Sequence, residues 1–133
     1  MIPLFAYGTL RSYTYQRALF DRTYTTRPAT LAGWRVVVAE NGYFTVIPDR
    51  HATAHGDLVE LDAAGLAIAD EWEDVPTYER IRVRTHDDRG AVDAWLYVRL
   101  TAARTVPPAD ALALHDEATV LAAIRAFRSR ETG

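Results

Sequence analysis

The dipeptide Asn41-Gly42 stands between two β-branched and aromatic runs, residues 32–39 and 43–47. A two-residue type I′ turn needs positive φ at both central positions, which Asn-Gly tolerates. The runs on either side are therefore expected to fold back on each other as antiparallel strands. A second signal of the same kind, Asp87-Asp88-Arg89-Gly90, joins residues 80–86 to a returning strand. Ile81, Val83 and Thr85 share one face of the first strand, and Arg80, Arg82, Arg84 and His86 share the other. In the return, Val92, Ala94, Leu96 and Val98 alternate with Asp93, Trp95 and Tyr97. Period-2 alternation joined by tight turns speaks against a doubly wound parallel sheet, which needs regular strand–helix crossovers.

The remaining segments fit around such a sheet. Residues 2–7 are apolar throughout and read as a central strand covered on both faces. Residues 13–21, with Tyr13, Arg17 and Phe20 spaced among polar residues, are compatible with a short helix. Pro48 is expected to stop the strand 43–47, and residues 56–61 to form another short strand. Asp62 stands as an N-cap before a helix 63–72, with Leu66, Ala69 and Trp72 or Glu73 at helical spacing. Pro107-Pro108 is expected to end the sheet. Residues 110–128 form an amphipathic helix with Leu112, Val120, Ile124 and Phe127 as the buried stripe. The expected fold class is α+β: a curled or barrel-like sheet with flanking helices, in a single domain spanning residues 1–133.

Composition narrows the function. A hydrophobic content of 49% excludes a disordered chain, and no apolar run approaches the length of a membrane span. Residues 2–6 are too short for a signal peptide. Without cysteine there is no disulfide, thiolate nucleophile or thiolate zinc site, and a cytoplasmic location is the default. A formal charge of −3 argues against nucleic-acid binding. The arginine face of residues 80–84 is expected to pair with acids such as Asp93 on the neighbouring strand.

Two segments carry chemistry. Residues 4–11 run from an apolar strand into a Gly8-Thr9 turn and then a helix-compatible stretch from about Ser12. Amides at a helix start lack partners, and the dipole there favours a small anion. The second segment packs Asp70, Glu71, Glu73 and Asp74 at the end of helix 63–72. Neighbouring negative charges and the negative end of the helix dipole both disfavour ionisation. They would lift one carboxyl towards the range of a general acid or base. Glu73 is the chosen member, with Asp70, three residues earlier, free to anchor the helix end. A merely solvated acidic terminus accounts for the same residues and stays open at this point. His51 and His55 have metal-pair spacing but are expected in a loop without a third ligand, so no metal is implied. Ser12 and Ser129 lack a nucleophile elbow, and no phosphate-binding glycine loop occurs.

Taken together, Tyr7-Gly8-Thr9-Leu10-Arg11, Asp70-Glu71-Trp72-Glu73 and Tyr78-Glu79-Arg80 resemble the motifs of the gamma-glutamylcyclotransferase-like family. This family includes gamma-glutamylamine cyclotransferases and plant avirulence-induced proteins. Its second hallmark has leucine where this chain has Ala69. The strand 55–61 resembles the Gly-x-aliphatic strand preceding that helix, so the resemblance covers residues 2 to about 98. It implies a small mixed β-barrel with flanking helices. It also implies a substrate-binding loop of Tyr7, Gly8, Thr9 and Leu10, Glu73 as the acid/base, and Tyr78 lining the same pocket. The implied reaction releases 5-oxoproline from a small-molecule γ-glutamyl amide without cofactor or metal, by a monomer or homodimer. A non-catalytic module of the same fold that binds a small carboxylate is the alternative. Substrate choice would lie with the far wall, around residues 22–30, 40–42 and 99–108.

Overall fold

The computed structural model describes residues 1–39, 43–73, 78–99, 105–106 and 116–132. The first strand, β1 (Ile2–Ala6), leads through a 3-10 turn at Thr9–Arg11 into helix α1 (Tyr13–Phe20). Two long strands follow, β2 (Thr26–Ala39) and β3 (Phe44–Leu61), then helix α2 (Ala63–Trp72). Strands β4 (Tyr78–Asp87) and β5 (Gly90–Arg99), the short β6 (Thr105–Val106) and helix α3 (Glu117–Thr132) complete the order.

Five strands close into a mixed barrel in the order β3-β1-β5-β4-β2, with β2 returning to β3. The fold is thus a small α+β barrel flanked by three helices. β1 is its central strand, antiparallel to β3 through Leu4↔Val59 and parallel to β5 at Leu4↔Trp95. Both faces of β1 are covered, which is why residues 2–7 show no polar alternation. Leu4 and Ala6 point to the helices, packing with Leu19, Val59, Ile124 and Phe127. Phe5 and Tyr7 point into the barrel with Leu31, Val46, Leu58 and Leu96.

Both expected hairpins form. β4 and β5 pair to Asp87↔Gly90, leaving Asp88-Arg89 as the turn. β2 and β3 pair to Val38↔Phe44, and the Ala39 amide donates to the Tyr43 carbonyl at 2.9 Å. The Asn41-Gly42 turn itself lies outside the described residues.

Pro48 does not stop its strand. β3 runs on to Leu61, so the expected strands 43–47 and 56–61 are two ends of one element. The register breaks between Ala32 and Trp34, with Trp34 opposite Pro48 and Ala32 opposite Thr53. Gly33, at φ 88°, makes this bulge. A proline that cannot donate to the ladder is tolerated where pairing is already interrupted. His51 and His55 therefore lie on a strand, not in a loop, and both are exposed.

The helices clamp the outer face of the barrel. α1 buries Gln16, Leu19 and Phe20 and leaves Tyr13 exposed. Gln16 decides that face. Its amide donates to the Leu10 carbonyl at 2.8 Å and accepts from the Tyr24 amide at 2.8 Å, so burial leaves it satisfied. α2 starts at Asp62 as expected, the carboxylate accepting from the Gly65 amide at 2.7 Å. α3 buries Val120, Ile124 and Phe127, three of the four expected stripe residues. Leu112 lies outside the described residues. Phe127 meets Trp72 edge to face at 5.6 Å, tying α3 to the end of α2.

Candidate active site

The C-terminal end of β1 opens into a cavity of about 280 Å³, near the lower size limit of small-molecule pockets. One wall is the chain leaving β1: Tyr7, Gly8, Thr9 and Leu10. Facing it stand Trp72 and Glu73 from the end of α2, with Tyr78 from the start of β4. All six residues singled out from the sequence therefore line one hollow. The site depends on β1 ending where α2 ends, and both are fixed by packing. Ala69, one turn before Glu73, is fully buried among Leu4, Leu10 and Tyr97.

The turn differs from expectation in one detail. Thr9–Arg11 forms a 3-10 turn of its own, with the Arg11 amide bonded to the Gly8 carbonyl at 3.1 Å. α1 begins only after it, at Ser12, whose hydroxyl accepts from the Tyr15 amide at 3.4 Å. The first amides of so short a turn have no partner within it, and Thr9 and Leu10 of this turn, rather than residues of α1, line the cavity. Gln16, by holding the Leu10 carbonyl, sets the turn's orientation.

Glu73 occupies the C-cap of α2, its amide bonded to the Ala69 carbonyl at 2.9 Å. Burial pushes its carboxyl up from 4.5 to about 7. Desolvation by burial raises it, a cause that the sequence reading, which turned on neighbouring acids and the helix dipole, did not name. Asp70, the acid one turn back, is occupied elsewhere. It accepts from Arg80 through Nε at 2.6 Å and Nη2 at 3.1 Å, and from the Tyr97 hydroxyl at 2.6 Å. Asp70 thereby ties the end of α2 to β4 and β5, and Glu73 turns to the cavity. Arg80 also lies over the Trp95 ring at 4.4 Å, so this strand face is a stacked, paired surface. Arg84 pairs with Asp93 at 3.1 Å, as expected.

Tyr7 donates its hydroxyl to the Tyr97 carbonyl at 2.7 Å inside the barrel. Burial, then the nearby Glu73 and Tyr78, hold its phenol well above the ordinary value. It stays protonated at physiological pH and acts as a strut between β1 and β5 beside the acid. Burial and the bond to Asp70 likewise raise Tyr97, with a smaller contribution from Glu73.

Sequence reasoning missed several lining residues, Trp72, Tyr43, Phe44 and Tyr97, whereas Arg99 belongs to the stretch 99–108 expected on the far wall. Tyr97 was findable, since it shares one face of β5 with Trp95. Residues 22–30, expected on the far wall, contribute none of the described lining. They lead into β2, and just before it the Tyr24 hydroxyl donates to the Asp62 carboxylate at 2.9 Å. Residues 40–42 and most of 99–108 lie outside the described residues. Among the described residues no group of histidine, aspartate and glutamate has the arrangement of a metal site. Among the described residues no helix is long and apolar enough to cross a membrane.

A family model described as gamma-glutamyl cyclotransferase, AIG2-like, matches residues 4–116. Solved structures share the fold. An Arabidopsis thaliana protein solved in solution superposes with a TM-score of 0.68 at 19% identity, over 97% of this chain and 84% of its own. A structure titled gamma-glutamyl cyclotransferase gives a TM-score of 0.68 at 17% identity, over 80% of this chain and 70% of its own. An AIG2-like protein of Mus musculus gives 0.63 at 23% identity, over 77% and 80%. No curated protein matches the chain.

Proposed function

From the premise that the chain belongs to the gamma-glutamyl cyclotransferase, AIG2-like family, we propose that it is an enzyme cleaving a small γ-glutamyl amide. The substrate's own α-amine attacks its γ-carbonyl, giving 5-oxoproline and a free amine or amino acid. The reading rests on one observation: Glu73, with its carboxyl raised to about 7, shares a cavity with the Gly8–Leu10 turn.

The chemistry asks for little more. The attacking nitrogen enters as an ammonium ion and ends as a lactam N–H, losing two protons. The departing nitrogen ends as an ammonium ion and gains two. A carboxyl poised near neutrality can take each proton from the first nitrogen and give it to the second, with no covalent intermediate. The C–N bond to the leaving group breaks as the ring C–N bond forms. The turn amides hold the α-carboxylate, and Tyr7 and Tyr78 shape the pocket around the glutamyl chain. Holding both ends of one flexible substrate in a ring-closing shape supplies much of the rate gain.

The experiment is incubation with a panel of γ-glutamyl compounds, reading 5-oxoproline by mass spectrometry, for the native chain and for Glu73→Gln. The reading expects 5-oxoproline from the native chain and at least a hundredfold loss in the variant, on the order of a missing general acid/base. Turnover retained in a folded Glu73→Gln would remove Glu73 from its role. Saturable binding without any 5-oxoproline would instead make the protein a small-carboxylate-binding module.

A further inference from the structure

A second hollow, of about 340 Å³, adjoins the cavity, and Tyr7 and Phe44 line both. Arg11, Arg35, Thr53 and His55 also line it, and no acid is among its described lining residues. These side chains come from distant stretches of chain. Arg11 ends the 3-10 turn, whereas Arg35 lies on one side of the Gly33 bulge and Thr53 and His55 on the other. A bulge bends the strand it interrupts, so both arms of the β2–β3 ribbon contribute to one hollow. The two arginines are held by acids that are not part of the lining. Arg11 Nε meets Asp57 at 2.8 Å, and Arg35 Nε meets Asp49 at 3.4 Å. Held at Nε, each guanidinium still carries four of its five N–H donors on its two Nη atoms. About half of each arginine side chain is exposed. Phe44, beside them, is one of the few large apolar side chains left exposed among the described residues.

We propose that this second hollow binds a small phosphate monoester, its phosphate at Arg11 and Arg35 and its organic part against Phe44. The site is separate from Glu73 and stands whatever reaction that carboxyl performs. Two guanidinium groups, a hydroxyl and an imidazole supply more donors than the two oxygens of a carboxylate can use. A phosphate monoester brings three terminal oxygens and a charge of about −1.5 to −2. Paired N–H groups of a planar guanidinium match those oxygens two at a time. Asp57 and Asp49 offset part of the positive charge, so a doubly charged anion gains more here than a singly charged one. Phe44 distinguishes an ester from free phosphate. A flat organic group laid on its ring removes an exposed aromatic face from water.

The test is a titration of the isotope-labelled chain with adenosine monophosphate, inorganic phosphate and adenosine, read from the NMR shifts of its backbone amides. Adenosine monophosphate should bind saturably and shift the amides of residues 35–36 and 53–55. Inorganic phosphate should shift the same amides but bind roughly tenfold more weakly, and adenosine should not saturate. Arg35→Gln and Arg11→Gln should each weaken adenosine monophosphate by about tenfold or more, the range for a charged hydrogen bond. The same spectra show that each variant is folded. Arg84→Gln, at an exposed arginine elsewhere on the barrel, should leave binding unchanged. Phe44→Ala should bring adenosine monophosphate down to the level of inorganic phosphate. An absence of saturable binding overturns the proposal, as do shifts confined to residues 8–10 and 73. An equal loss in Arg84→Gln overturns it too, since binding would then follow overall charge. Inorganic phosphate binding as tightly as adenosine monophosphate refutes the ester, and adenosine doing so refutes the role of the arginines.

Discussion

Replacing Glu73 by glutamine should stabilise the folded chain, by an amount that depends on pH. The carboxyl titrates near 7 in the folded chain against 4.5 when free in water, and burial is the cause. At about 1.4 kcal/mol for each tenfold change in proton affinity, the ionised form is disfavoured on folding by about 3 kcal/mol. Below pH 4.5 both folded and unfolded chains carry the proton, and the group contributes nothing. Between 4.5 and 7 the unfolded chain releases its proton while the folded chain keeps it, so stability falls as pH rises. Above 7 the loss is complete and constant. Glutamine carries no such proton, and every other titrating group is common to both proteins. Urea unfolding of the native chain and of Glu73→Gln should therefore coincide near pH 4. At pH 8 the variant should be more stable by about 3 kcal/mol. A difference that stays flat between pH 4 and 8, or a variant less stable at pH 8, would refute the burial argument. The predicted gain has a functional reading. A neutral-range acid exists here because the fold holds a carboxylate where it is poorly solvated, a destabilisation of the kind tolerated at active sites.

Two further substitutions test how the cavity is held. Asp70→Asn should weaken the bonds from Arg80 and Tyr97 and lower stability by about 1–3 kcal/mol in urea melts, a range discounted for partial exposure of the pair; unchanged stability would mean that the end of α2 is fixed by packing alone. Gly56→Ala should lower stability by about 1–3 kcal/mol, because the added methyl meets the Ala6 carbonyl and comes within 2.9 Å of the Phe5 ring; a variant as stable as the native chain would show that β1 and β3 are less closely seated than the structure has them.

Much of this architecture was legible because short-range physics dominates it. The 87–90 turn, the strands on either side of Asn41-Gly42, the Asp62 cap and the Val120, Ile124, Phe127 stripe each follow from local geometry, and the structure contains them all. Pro48 misled because its effect on a ladder depends on the partner strand, and the bulge at Gly33 is visible only from β2. Gln16 was overlooked because a polar residue gives no helical signal until both of its amide partners, Leu10 and Tyr24, are seen. At the site, the residues that line the cavity were found by motif, but the physics of Glu73 was misassigned. Adjacent acids in sequence suggested charge repulsion, whereas Asp70 is consumed by Arg80 and Tyr97 and the shift comes from burial. Tyr97 lay on an alternation already recognised, yet its facing the cavity depends on where β1 and α2 converge.

The central claim is that the Glu73 carboxyl moves the protons in cyclisation. The pH dependence of kcat/KM for 5-oxoproline release addresses it most directly, because that profile reports the essential groups of the free enzyme. The account predicts activity rising with pH through an inflection near 7, as Glu73 becomes the base. An activity already level from pH 5 upward, with its inflection in the ordinary carboxylate range, would contradict it.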